Sequence, residues 1–117
     1  MTMSQSEQSV RVERAVGSVV VKHHDAVIAA SKAALVVHGE REAPIYYLPR
    51  QDVYFEQMTA AELPGRGAPD DRSWFSVTAS GGGLDHAAWV LRRPEGELAA
   101  VEGYVGFDPD KLSVMAD

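Results

Sequence analysis

The side chains most able to bind or transform a small molecule are Tyr47, Arg50, Asp52, Arg66, Trp74, His86 and Trp89. Arg50 lies inside an aromatic corner, Tyr46-Tyr47-Leu48-Pro49-Arg50-Gln51-Asp52-Val53-Tyr54-Phe55. A guanidinium matches a carboxylate or phosphate through two parallel hydrogen bonds, so Arg50 reads as an anion clamp. Its plainer role is a surface arginine paired with Asp52. Arg66, flanked by Gly65 and Gly67, is the natural second cation, or else a solvated loop residue. Tyr47, Trp74 and Trp89 supply apolar walls, either of a concave site with a few polar groups or of an ordinary core. His86 and Asp52 are the titratable groups that acid–base chemistry in such a pocket would use. No catalytic residue is assigned beyond these two candidates.

Other chemistries lack their residues. The chain has no cysteine, so disulfides, thiolate nucleophiles and Cys-ligated zinc or iron–sulfur sites are excluded. His23 and His24 are neighbours, and a strand points neighbours to opposite faces, a poor chelate. The same geometry separates Asp85 from His86, and His38 is isolated. No metal site and no cofactor is expected, and nothing favours a Ser-His-Asp triad. Gly81-Gly82-Gly83 reads as a hairpin turn, because no Gly-Lys-Ser/Thr follows to make a phosphate loop.

The frame that positions these groups is small. A chain of 117 residues, 45% of them hydrophobic, suits one domain with one core. The polar stretch Met1–Ser9 is expected to be a flexible tail, with residues 10–117 forming the domain. The formal net charge of −6 disfavours nucleic acid as a partner. No apolar run approaches the roughly 18 residues a membrane span needs, and the N-terminus has no signal-peptide h-region. The expectation is a cytoplasmic protein without a membrane partner.

Short alternating or β-branched runs dominate. Val10–Arg14, Val19–Lys22, Ala26–Ala30, Ala33–His38, Ile45–Leu48, Val53–Met58, Ser73–Thr78, Leu84–Leu91, Tyr104–Phe107 and Leu112–Met115 read as strands; the alanines of Ala26–Ala30 also suit a helix, but Val27 and Ile28 favour a strand. Pro49 breaks the run on either side of it, since proline cannot donate to a strand ladder. Within Ser73–Thr78, Trp74 shares a face with Ser76 and Thr78, while Phe75 and Val77 take the other. Thr59-Ala60-Ala61-Glu62 has capping-box spacing, and Pro64 limits it to about one helical turn. Leu63–Arg72 is a turn-rich loop of the kind that carries function. A short helix starts near Pro94, with Gly103 as its stop. The fold class is mainly β, short strands in antiparallel sheets with one short late helix.

Three segments, in order, resemble one family. Tyr46-Tyr47-Leu48-Pro49-Arg50-Gln51-Asp52-Val53 is similar to the Tyr-Tyr-Phe-Pro-Arg-x-Asp-Val signature of a bacterial family known as domain of unknown function 427. Ala87-Ala88-Trp89 resembles its Ala-Ala-Trp strand, and the segment from Val101 to Leu112 resembles its Ile-x-Gly-Tyr-Val-x-Phe-Tyr-Pro-x-x-Val ending. The resemblance implies a β-tent-like fold, two antiparallel sheets leaning together over a pocket. That fold group includes zinc-bearing ligand binders and methionine sulfoxide reductases of the B type. The resemblance implies no established activity. A nucleotidyltransferase label is sometimes attached to the family, but no carboxylate pair here supports metal-assisted nucleotidyl transfer. The family's Cys-Pro-Tyr-Lys-Gly is Leu63-Pro64-Gly65-Arg66-Gly67 in this chain, and His86 stands where the family commonly has Asn. The reading that follows is a binding module for a small anionic or aromatic ligand. An enzyme using His86 or Asp52 in the same pocket is one alternative. A protein-interaction domain, with the aromatic face in a homo-oligomer, is another.

Overall fold

The computed structural model describes residues 10–39, 42–61, 72–78, 84–92, 94 and 96–116. Ten strands are found among them: β1 Arg11–Arg14, β2 Val19–His23, β3 Ala26–Ser31, β4 Leu35–His38, β5 Ile45–Leu48, β6 Met58–Ala61, β7 Arg72–Val77, β8 Leu84–Leu91, β9 Val105–Phe107 and β10 Ser113–Ala116. They build a seven-stranded sheet, ordered β1-β4-β5-β9-β8-β7-β6, and a three-stranded sheet, ordered β10-β2-β3. Every pairing is antiparallel. The expected class, two antiparallel sheets of short strands with one short late helix, is what the chain adopts. The helix is a 3-10 turn, Gly96–Val101.

The central strands of the larger sheet, β5, β8 and β9, are buried on both faces, which explains why they read as apolar runs with aromatic residues interleaved. One face meets the smaller sheet. There Leu48, Val77, Ala88, Val90, Val105 and Phe107 pack with Val19, Val21, Ile28 and Ala29. The opposite face carries Val37, Ile45, Tyr47, Trp89 and Leu91, covered by Val101 and Leu98 of the 3-10 turn and by Val10, Val12 and Tyr104. Alternation along each strand sorts the two sets. In β8, Ala88 and Val90 go to the first cluster and Trp89 and Leu91 to the second; in β7, Phe75 and Val77 part from Trp74 as expected.

Two local expectations fail. Val53–Met58 is not a strand. After Pro49 the chain turns through a 3-10 helix at Arg50–Asp52, makes one isolated bridge from Val53 to Ala29, and turns again at Phe55–Gln57. The Tyr54 amide donates to the Ile28 carbonyl at 2.8 Å, so this segment is spent linking the two sheets. Thr59–Ala61 is not a capped helical turn but part of β6, with Met58 opposite Val77 and Thr59 opposite Ser76. Strand pairing offers more backbone hydrogen bonds than a helix that Pro64 would stop after one turn. The expected tail Met1–Ser9, Glu62, most of the loop from Leu63 onward and the Gly81–Gly83 turn lie outside the described residues.

Candidate functional site

The outward cluster of the large sheet is organised around Gly106. Its direct neighbours in the ladder are Tyr47 on β5 and Trp89 on β8. Having no side chain, it lets the two rings close over it: Trp89 Nε1 donates to the Tyr47 hydroxyl at 2.9 Å, and the rings meet edge-on with centroids 6.3 Å apart. Both side chains are fully buried. Tyr47 and Trp89 thus form the floor of the cluster.

Trp74 continues the floor outward. It stands opposite Trp89 in the β7–β8 register, with ring centroids 5.4 Å apart. His86 reaches the same neighbourhood through an irregularity. Phe75 pairs with Ala88 and Val77 with Leu84, so β8 carries extra residues across from Ser76. His86 occupies this bulge with φ of 54°, and its amide donates to Ser76 Oγ at 3.2 Å. The bulge re-aims the imidazole toward Trp74, edge-on at 5.7 Å between centroids. Arg72, two residues before Trp74 and on its face, lays its guanidinium 5.0 Å from the Trp89 ring centroid and 5.8 Å from that of Trp74.

Trp74 Nε1 and His86 Nε2 are buried without a hydrogen-bond partner among the described residues. An indole N–H only donates; an imidazole nitrogen donates or accepts according to its tautomer. Burying such an atom unsatisfied costs about 1–3 kcal/mol. His86 also sits in a left-handed conformation that non-glycine residues adopt at a cost, a kind of strain that concentrates at functional positions.

The structure therefore brings Tyr47, Trp74, His86 and Trp89 together. It does not bring Arg50 or Asp52 to them. Arg50 is exposed, with its guanidinium 5.3 Å from the centroid of Phe55, a ring that packs on the inter-sheet core. Among the described residues it makes no ion pair with Asp52. Asp52 instead accepts a 2.6 Å hydrogen bond from Ser31 Oγ on the small sheet. Arg66 lies outside the described residues. Sequence reasoning missed Arg72. The available signal was its spacing: strand alternation puts a residue two before Trp74 on the tryptophan's face.

Among the described residues no group of three His, Asp or Glu could hold a metal ion, and no helix is long and apolar enough to cross a membrane. Fold and site together define a mainly-β protein of two antiparallel sheets whose larger sheet bears an aromatic cluster outside the inter-sheet core. The chain belongs to the family described as Domain of unknown function (DUF427), whose sequence profile matches residues 11–117. No curated protein matches it.

Proposed function

We propose that the protein is a binding module for a small anionic ligand, received at the Trp74–His86–Arg72 end of the aromatic cluster. The observation that carries this reading is the pair of buried nitrogens, Trp74 Nε1 and His86 Nε2, that have no hydrogen-bond partner among the described residues. A ligand oxygen accepting from both would remove their desolvation penalty. The Arg72 guanidinium over the two indoles adds positive charge on the same side. The partly buried Trp74 ring offers an apolar seat for a planar body attached to the anion.

A thermal-shift series with carboxylates, phosphates and nucleotides tests it. A ligand that binds only the native state stabilises it by mass action, about 2.7 kcal/mol at a hundredfold excess over its dissociation constant. One anion class should raise the melting temperature and change tryptophan fluorescence. Trp74→Phe and His86→Ala should each weaken the response, while Arg50→Ala, on the other face, should leave it intact. A flat screen, or full response in both site variants, overturns the reading.

The enzyme alternative draws on one observation, the strained backbone that aims His86 Nε2. Under it, turnover of the bound anion would be lost in His86→Gln while binding survives.

A further inference from the structure

Asp52 is left unused by the anion site, and its surroundings differ in kind. It borders an open cavity of about 520 Å³ on the small-sheet side, together with Ser18, Val20, Ala30, Lys32 and Ala33. Ser31, which is buried, fixes the carboxylate. Its Oγ accepts the Ala33 amide at 2.9 Å, so its only proton is directed to Asp52 Oδ2 at 2.6 Å. That length is typical of a hydroxyl bonded to a charged carboxylate. The second oxygen, Oδ1, has no hydrogen bond among the described residues. Nor does any ion pair among them offset the charge, since the Arg50 guanidinium is turned to Phe55. A carboxylate held in one orientation, with no ion pair among the described residues, beside the apolar side chains of Val20, Ala30 and Ala33, is the complement of a cation with a small apolar body.

We infer that this cavity is a second binding site, independent of the aromatic one, for a small primary ammonium ion carrying a short alkyl chain. An ammonium has three donors. Asp52 Oδ1 takes one, the hydroxyl of Ser18, which lines the same cavity, is available to another, and water completes the set at the open side. The alkyl chain lies against Val20, Ala30 and Ala33. Lys32, whose residue is exposed at the rim, is a tethered competitor for the same carboxylate.

The test is a titration of the whole chain, labelled with nitrogen-15, by n-butylammonium chloride, with sodium butyrate, n-butanol and tetramethylammonium chloride in parallel arms. The expected result is saturable amide shifts at Ala30–Ala33 with n-butylammonium. Tetramethylammonium, which has the charge but no N–H donor, should bind more weakly, and butyrate and butanol should give no saturable shift. Asp52→Asn should weaken binding by about tenfold or more, the usual effect of removing a charged hydrogen-bond partner. Lys32→Ala, which keeps the Ser31–Asp52 bond, should strengthen binding. If Asp52→Asn does not fold, the lysine variant decides alone. Equal shifts with butyrate, unchanged affinity in Asp52→Asn, or weaker or unchanged affinity in Lys32→Ala would each overturn the proposal.

Discussion

Trp89 donates its indole proton to the hydroxyl of Tyr47, 42 residues earlier in the chain, across a glycine that separates their strands. The bond joins β5 to β8 through side chains where β9 already joins them through backbone. Tyr47→Phe keeps the ring but takes this acceptor from the buried Trp89 Nε1, and should cost about 1–3 kcal/mol. Urea unfolding of the two proteins, with unchanged slope and a shifted midpoint, measures it.

Gly106→Ala should be worse. A Cβ built on Gly106 falls 2.7 Å from Tyr47 Cε2 and 2.9 Å from Trp89 Nε1, closer than atoms pack. Both rings are fully buried and have no open side to retreat to. Overpacking of this kind costs about 1–3 kcal/mol. A variant as stable as the parent would mean that the Tyr47–Trp89 floor is looser than its hydrogen bond implies.

His86 separates stability from binding. Its φ of 54° suits glycine, which meets no side-chain penalty there but loses more entropy on folding. His86→Gly should therefore gain about 0.5–1 kcal/mol of stability, the difference between the strain relieved and the entropy added. The same variant should lose the response to anions. Gain of melting temperature with loss of binding is the signature of strain held for a ligand. A fall in both would make the imidazole a packing residue.

Acid sensitivity on β1 has a defined sign. The Arg11 guanidinium, bonded to Glu13 at 2.8 Å, holds the Glu13 carboxyl below its usual value, with His38 assisting at 3.6 Å when protonated. A depressed folded-state value means that this contribution is fully present above the unfolded-state pKa of glutamate. It is lost as pH falls through the lower folded-state value. Glu13 is solvent-exposed, so the effect is small and salt-screened. Melting curves of parent and Glu13→Gln should differ slightly at neutral pH and converge on acidification. A difference that grows in acid would contradict the assignment.

The strands that were legible in the sequence are those whose side chains alternate between two environments, such as Trp74 and Phe75 in β7. Tyr47, Trp74, His86 and Trp89 stand out in the sequence as aromatic and titratable residues; β7 pairing with β8 brings the last three together, and β9, with Gly106 between β5 and β8, brings Tyr47 to Trp89. Arg50 and Asp52 were expected beside them because they follow Tyr47 by only a few residues. The 3-10 turn after Pro49 carries them away, and no residue type announces whether a chain continues in one sheet or crosses to the next. The mistaken strand at Val53–Met58 has the same origin. Its alternation is genuine, but the Tyr54 amide is committed to Ile28 on the other sheet. The bulge that re-aims His86 is likewise set by the register of β7 against β8 rather than by local sequence.

Burial of the central strands of the large sheet on both faces has a consequence for how they find one another. In a sheet with one wet face, slipping a strand by one residue exposes its apolar side chains, and solvent rejects the error. Here a slipped β5 or β8 would still present apolar residues to an apolar neighbour, so hydrophobicity discriminates poorly between alignments. Shape supplies the missing discrimination. Val105 and Phe107 flank Gly106, and shifting either neighbour by one residue would place Tyr47 or Trp89 opposite a bulky side chain instead of the gap. The glycine thus acts as a notch that admits two aromatic keys in one alignment, and proofreads strand order during folding where water cannot.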